Sequence, residues 1–198
     1  MSAPRSIILA SASPRRRQIL ASLGIAFVAR PSHVDETSLC IEDDVEFVRA
    51  AALLKLRSVL EASAHEGAYV LAADTSVCVG RERLGKPADD RDALRMLTLL
   101  AGRDHLVHTG VALGVVGEGV REARVVETRV WFRAASSEEL ERYVASGESN
   151  DKAGAYGIQG LASGFVTRVQ GSYSSVVGLP AAEVVEMLTT HGALERWP

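Results

Sequence analysis

The chain has 198 residues, of which 47% are hydrophobic, and this predicts a single globular domain over residues 1–198. The net charge of −3 argues against nucleic-acid binding, which needs a broad excess of basic side chains, and no apolar run is long enough to span a membrane. Cys40 and Cys78 lie in unrelated contexts, which predicts two buried thiols and a reducing, cytoplasmic compartment.

The first predicted strand, residues 6–10, runs directly into a helix that begins at Ser13-Pro14 and ends at Gly24. The first turn of this helix carries hydroxyls and arginines, namely Ser11, Ser13, Arg15, Arg16 and Arg17. Arginines oppose the dipole at a helix N-terminus unless an anion is bound there. We therefore predict a phosphate site here, in preference to a solvated basic face.

The next segment is predicted to contain a strand (26–30), a polar loop (31–44) and an amphipathic helix (44–62). The loop acids Asp35 and Glu36 indicate either a functional site or a solvated turn. Lys55 lies beside the apolar stripe of the helix, either as a snorkelling side chain or as a phosphate contact. The chain has three lysines and 19 arginines, so each lysine is a candidate for a deliberately placed compact charge, with chance as the alternative.

We expect the site to be arranged around residues 69–87. A short buried strand is predicted to stop at Asp74 and Thr75. A second apolar run and two glycine turns would then fold the chain back and bring Lys86 close to Asp74. The alternative is that Asp74 caps a turn and Lys86 is a solvated surface charge.

The remaining chain predicts an α/β fold. Residues 150–160 contain three glycines and no clear period, so they form a structured loop whose backbone can approach a ligand closely. The pattern predicts helices over about 89–102, 136–145 and 180–190, strands at 106–116, 125–132 and 165–169, and a polar turn at 171–175.

Read together, these segments resemble the Maf family of nucleoside triphosphate pyrophosphatases over about residues 6–190. The matching motifs are Leu-Ala-Ser-Ala-Ser-Pro-Arg-Arg at 9–16, Ala-Asp-Thr at 73–75, Gly-Lys-Pro at 85–87, His-Thr-Gly-Val at 108–111, the glycine loop at 151–160 and Gly-Leu-Pro at 178–180. The resemblance implies a twisted mixed sheet flanked by helices, akin to inosine triphosphate pyrophosphatases, with two lobes around a central cleft. It also implies a divalent metal (Mg²⁺ or Mn²⁺), a homodimer, and hydrolysis of a nucleoside triphosphate to the monophosphate and pyrophosphate.

The resemblance assigns roles to individual residues. Asp74 matches the catalytic acid, with general-base and metal duties, and Glu36 matches a loop carboxylate that serves as a second metal ligand. The family's phosphate positions fall on Ser11, Arg16, Lys55 and Lys86, of which Lys86 is also assigned to catalysis. Three positions resemble the branch that acts on dTTP and UTP, namely Arg15, Thr75 and Gln159.

Gln159 has a physical reason to favour a pyrimidine. Uracil and thymine present N3–H beside a carbonyl, which suits a carboxamide, whereas the two donors of a guanine edge suit a carboxylate. A flipped amide also pairs with cytosine, so CTP stays open. The predicted function is hydrolysis of dTTP and UTP, with modified pyrimidine nucleotides as further candidates. The alternative is a nucleotide-binding regulator of septum formation or cell division in which hydrolysis is incidental.

Overall fold

The computed structural model describes residues 6–197, apart from the side chain of Thr37. The strands are β1 (Ile7–Leu9), β2 (Val28–Ala29), β3 (Tyr69–Val79), β4 (Glu82–Leu84), β5 (Asp104–Val115), β6 (Gly119–Phe132) and β7 (Val166–Gln170). The α-helices are α1 (Pro14–Ser22), α2 (Asp44–Ala62), α3 (Asp90–Leu100), α4 (Ser137–Ala145), α5 (Tyr173–Val177) and α6 (Ala181–Thr190). Short 3₁₀ helices lie at Glu36–Ser38, Ala153–Ala155 and Leu161–Gly164.

The strands form a mixed sheet, as predicted, in the order β2-β1-β3-β5-β6-β7, with β4 paired to β3. β1 is parallel to both β2 and β3, whereas β4 is antiparallel to β3 and β7 is antiparallel to β6. Within residues 6–197, no helix combines the length and the hydropathy that crossing a membrane requires.

The chain divides into two compact units. Unit 1 contains the described residues up to Asp74, then Thr109–Val126, and those from Gly178 onward. Unit 2 contains Thr75–His108 and Glu127–Val177. Strands β3, β5 and β6 each begin in one unit and end in the other.

Unit 1 has helices on both faces of its strands. One face of β1 and β3 packs against α1 and α6, through Ile7, Leu9, Tyr69, Leu71, Leu20, Val184 and Met187. The opposite face packs against α2, through Ile8, Val70, Ala72, Ala52, Leu56 and Val59. Because both faces are covered, these strands appear in the sequence as continuous apolar runs rather than as alternating ones.

The position of α2 is set by a close approach to the sheet at Gly110. A Cβ on this glycine of β5 would overlap the backbone carbonyl of Val48, so only glycine allows the helix to lie this near. Lys55 follows Val48 by seven residues, which is two helical turns and therefore the same face. The packing that requires Gly110 thus also directs Lys55 towards the sheet.

In unit 2, α3 and α4 bury apolar stripes, and α4 begins with a capping box between Ser136 and Glu139. A group of rings lies in the same unit: Phe132 packs edge-on against His105 and Tyr156, with centroids 5.0 and 4.9 Å away. Phe165 contacts both Phe132 and Tyr143. These contacts attach the 150–160 loop to the strands through Tyr156.

Several predicted elements are confirmed at their ends. Ser13 is the N-cap of α1 and Pro14 its first residue, α2 has the predicted bounds, and α3 begins after its N-cap Asp89. The predicted break of β3 at Asp74 is wrong, because β3 continues through that point with every residue but Thr75 buried. Asp74 therefore lies inside a strand rather than at its end.

Three smaller predictions are also corrected. The turn predicted at 171–175 contains the start of α5, since the Ser172 hydroxyl accepts from the Ser175 N–H at 3.2 Å as an N-cap does. The strand predicted at 26–30 is only two residues long. Cys40 is exposed in the polar segment before α2, whereas Cys78 is buried as expected.

Candidate active site

The centre of the unit 1 site is an ammonium group shared by two carboxylates. Lys55 Nζ lies 2.6 Å from Asp74 Oδ1 and 2.8 Å from Glu36 Oε1. The Lys55 and Asp74 side chains are only 12% and 10% exposed, whereas Glu36 is 36% exposed. A buried carboxylate needs a partner to stay charged at acceptable cost, and Lys55 supplies that partner.

Each member of this cluster comes from a different element of unit 1. Asp74 follows Val70 and Ala72 at strand period two, so it lies on the face of β3 that α2 covers. Lys55 comes from α2, on the helix face set by Gly110. Glu36 opens the 3₁₀ helix Glu36–Ser38 in the segment before α2. The fold thus brings together two carboxylates and an amine that are far apart in sequence.

A second cluster in unit 1 is built on Ser11 and Arg16. The Ser11 hydroxyl accepts from the Ser13 N–H and from Arg16 Nη1, both at 3.2 Å. Arg16 Nε donates to the backbone carbonyl of Gly178 at 2.8 Å. The Gly178-Leu179-Pro180 motif therefore holds the first turn of α1 in place through its main chain.

Burial lowers the pKa of the Arg16 guanidinium, and the negative charges of Asp74 and Glu36 oppose that shift. Arg16 therefore senses the same two carboxylates that hold Lys55. Successive helical residues point about 100° apart, and Arg17 is exposed whereas Arg16 is half-buried. Arg15 is half-buried on the same turn.

In unit 2, the 150–160 loop packs against the turn that carries Lys86. The Gly154 N–H donates to the carbonyl of Gly85 at 3.0 Å. A Cβ on Gly154, which has φ of +68°, would lie 2.9 Å from the Val77 side chain, so glycine is required both for its conformation and for the space. The predicted Gly-Lys-Pro and glycine-loop motifs are thereby joined within one unit.

The predicted residues of unit 2 have different surroundings from those of unit 1. Lys86 and Gln159 are exposed, and Thr75 is the half-buried residue of β3. Lys152, the third lysine, has its Nζ 2.6 Å from the Glu148 carbonyl and 2.5 Å from Asp151 Oδ1, so it holds the loop. The amine in contact with Asp74 is Lys55, a pairing that the sequence analysis did not predict.

Sequence reasoning also missed Gly110, Tyr143 and Glu148 as residues that hold the site. Gly110 lies inside a strand pattern, where an isolated glycine signals a close backbone approach without saying to what. The Tyr143 hydroxyl and the Glu148 carboxylate contact the glycine loop. Neither residue has a distinguishing pattern in the sequence.

This arrangement suits the chemistry of phosphoric anhydrides. A buried carboxylate can orient and deprotonate water, and nearby ammonium and guanidinium groups can offset negative charge on phosphoryl oxygens. Asp74 and Glu36 each place a carboxylate oxygen against the Lys55 ammonium, so their negative charges already meet at one cation. Such hard oxygen donors are the ligands that Mg²⁺ and Mn²⁺ prefer, so these residues fit a divalent metal.

Comparison with known proteins places the chain in a family. The dTTP/UTP pyrophosphatase of Myxococcus xanthus (strain DK1622) is 50% identical over 96% of this chain and 95% of its own length. The dTTP/UTP pyrophosphatase of Caulobacter vibrioides is 47% identical over 97% of this chain and 98% of its own length. A solved HAM1 protein from Coxiella burnetii aligns over 94% of this chain and 98% of that chain, with 17% identity and a TM-score of 0.45, which is too low to compare individual residues. The model of the Maf-like protein family matches residues 6–191, and the chain belongs to this family.

Proposed function

We propose that the protein hydrolyses UTP and dTTP to the nucleoside monophosphate and pyrophosphate. The observation that carries this proposal is that the buried Asp74 carboxylate contacts the Lys55 ammonium, which also contacts the Glu36 carboxylate. The substrate follows from the relatives, which are named dTTP/UTP pyrophosphatases and align over nearly the full chain.

In the proposed reaction, the oxygen of water attacks the α-phosphorus and the bond from that phosphorus to the bridging oxygen of the β-phosphate breaks. Asp74 orients the water and takes its proton, and pyrophosphate leaves with the bridging oxygen. Arg16, which donates to the Ser11 hydroxyl at the start of α1, binds phosphoryl oxygens. Helix N-termini and guanidinium groups are both common phosphate-binding groups. Lys55 and Lys86 are assigned to offset the remaining negative charge of the phosphates.

A divalent metal is part of the proposal. Asp74 and Glu36 would hold Mg²⁺ or Mn²⁺, because their oxygens meet at one cationic point. When bound, such an ion supplies Lewis-acid stabilisation of the phosphoryl oxygens. The metal and Lys55 would compete for the same two carboxylates.

Base selection is assigned to Gln159, an exposed residue of the glycine loop. Gln159 offers a carbonyl acceptor to N3–H and an N–H donor to O4 of uracil or thymine. Arg15 and Thr75 are the other two residues that resemble the branch of the family acting on dTTP and UTP.

The test is a panel of UTP, dTTP, CTP, GTP and 7-methyl-GTP with Mg²⁺ or Mn²⁺, with pyrophosphate and orthophosphate measured separately. We expect pyrophosphate and the monophosphate in equal amounts, with the highest kcat/KM for UTP and dTTP. Orthophosphate as the product would contradict the reaction. Tight binding of UTP with negligible turnover would favour the regulatory alternative.

A further inference from the structure

A four-residue turn presents Gln159 at the surface. The Gly160 N–H donates to the carbonyl of Gly157 at 3.0 Å, which closes the turn. Ile158 is buried at 7% exposure, whereas Gln159 is exposed. The position of the Gln159 carboxamide therefore depends on how firmly this turn is held.

The carboxylate of Glu148 holds the chain just after the turn. Its Oε2 accepts from the Leu161 N–H at 2.8 Å, and its Oε1 accepts from the Ala162 N–H at 3.3 Å. These are the first two amides of the 3₁₀ helix Leu161–Gly164, which have no partner within their own helix. A carboxylate that accepts two backbone N–H groups is a strong and directional anchor.

The glycines of the turn are fitted to this anchor. A Cβ on Gly160 would overlap the Glu148 carboxylate, so any other residue would displace it. A Cβ on Gly157 would lie 2.7 Å from Lys152 Cε and 3.3 Å from Glu148 Oε1. A larger residue at either glycine would therefore force Glu148 or Lys152 to move.

Tyr143 connects Glu148 to the start of the turn. Its hydroxyl donates to Glu148 Oε1 at 3.0 Å and accepts from the Gly157 N–H at 3.2 Å. Burial raises the pKa of Tyr143, so the phenol keeps its proton. Tyr143 and Glu148 together thus fix Gly157, the first residue of the turn. They also fix the two residues after the turn, Leu161 and Ala162.

We infer that Glu148, with Tyr143, is a positioning residue that sets pyrimidine selectivity by fixing the turn that carries Gln159. This inference rests on the proposed function. Glu148 reaches Leu161, Ala162 and Tyr143 and acts on base recognition only through the main chain of the turn.

The test is Glu148→Gln, measured as kcat/KM for UTP, dTTP, CTP and GTP. The amide keeps the size of the side chain, but its NH₂ group faces a backbone donor and cannot accept from it. We expect the UTP to GTP ratio of kcat/KM to fall about tenfold, because a misplaced Gln159 loses its edge pairing. The matched control is Glu139→Gln, which removes a carboxylate that accepts from the Ser136 N–H in the same unit but contacts no residue of the turn. Its ratio should equal that of the wild type.

A proportional loss on every triphosphate, or an unchanged ratio, would overturn the inference. If Glu148→Gln does not fold, Tyr143→Phe decides, since it removes only the hydroxyl that receives the Gly157 N–H. Hydrogen exchange adds a readout that does not depend on turnover: the amides of Leu161 and Ala162 should exchange faster in Glu148→Gln than in the Glu139→Gln control, and equal rates would contradict the anchor. A wild-type enzyme with no preference for UTP and dTTP would defeat the proposed function, whereas wild-type selectivity that survives Glu148→Gln defeats this inference alone.

Discussion

The candidate site residues of the two units are held by different means. In unit 1, charged side chains contact one another: Lys55 lies between Asp74 and Glu36. In unit 2, the main chain of the glycine loop is held, through Gly154, Tyr143 and Glu148, while the side chain of Gln159 is exposed. In the proposed function, the bond is cleaved by side chains that contact one another, whereas the base is recognised by one exposed side chain whose main chain is held in place.

This difference has a physical origin. Buried charges cost several kcal/mol each unless they are paired, so the buried Lys55 and Asp74 side chains stabilise each other. The glycine loop has a different cost: it must lose the large conformational freedom of glycine, and its anchors offset that loss. Substitutions in the cluster of Lys55, Asp74 and Glu36 should therefore act on turnover as a whole, and substitutions in the glycine loop on the choice of substrate.

The largest expected effect is that of Asp74→Asn. The change keeps the shape of the side chain but removes the charge that holds Lys55 and that takes the proton of water in the proposed reaction, so we expect kcat/KM to fall ~10²–10⁴-fold on every substrate. The control is Asp104→Asn, which removes the partner of the exposed Arg129 in an ion pair outside the site. Steady-state kinetics on folded protein, checked by thermal unfolding, measures both.

The comparison between the units also predicts how Asp74→Asn affects the choice of substrate. Because Asp74 belongs to the charged cluster and not to the glycine loop, the ratios of kcat/KM among UTP, dTTP, CTP and GTP should stay as in the wild type. A changed ratio would show that Asp74 also contributes to base selection. Near-wild-type turnover would remove Asp74 from catalysis.

Much of unit 1 could be predicted from the sequence because its signals are local. A serine cap before a proline gives the start of α1, and the apolar period gives α2. The contact between Lys55 and Asp74 could not be derived in this way, because it depends on the approach of α2 to the sheet at Gly110, which is a property of packing.

Unit 2 was less predictable for a related reason. The glycines at 157 and 160 predict a structured loop. The sequence does not show that they make room for Lys152 and Glu148, because that contact arises only in the folded structure. The polar residues Asp74 and Thr75 predict the end of a buried strand, but tertiary burial carries β3 past them to Val79. The resemblance to the family supplied the residues of the site, and the structure supplied their contacts.

The next effect in size is that of Gln159→Glu, which tests the unit 2 side of the comparison. A carboxylate facing O4 of uracil or thymine places two acceptors together, and such a mismatch costs ~1–3 kcal/mol, or about tenfold to a hundredfold in relative kcat/KM. UTP and dTTP should lose most, and a guanine edge least. The control is Gln170→Glu, an exposed position on β7 in the same unit.

A uniform decrease on all triphosphates would show that Gln159 only supports the loop. In that case the distinction between the units would fail, since both would act on turnover. The substrate panel that tests the proposed function gives these ratios directly.

The smallest effect on activity is expected at His105, which instead tests the stability of unit 2. This histidine is 2% exposed, and its Nε2 lies 2.8 Å from the Tyr156 hydroxyl. Burial lowers its pKa from 6.5 to about 4, so the unfolded chain takes up a proton at a higher pH than the folded chain does. The stability contributed by neutral His105 is complete above pH 6.5 and is lost as the pH falls towards 4.

Between pH 7 and pH 5, the protonation of His105 in the unfolded chain should lower the free energy of unfolding by about 2 kcal/mol. In His105→Gln that part of the pH dependence should disappear, whereas the control His65→Gln, at an exposed position, should keep it. Urea unfolding at the two pH values measures the difference directly. Equal pH dependence in wild type and His105→Gln would mean that the ring protonates in the folded protein as readily as in the unfolded chain. The ring contact between His105 and Tyr156 would then tolerate a charge, unlike a support that depends on neutral buried rings.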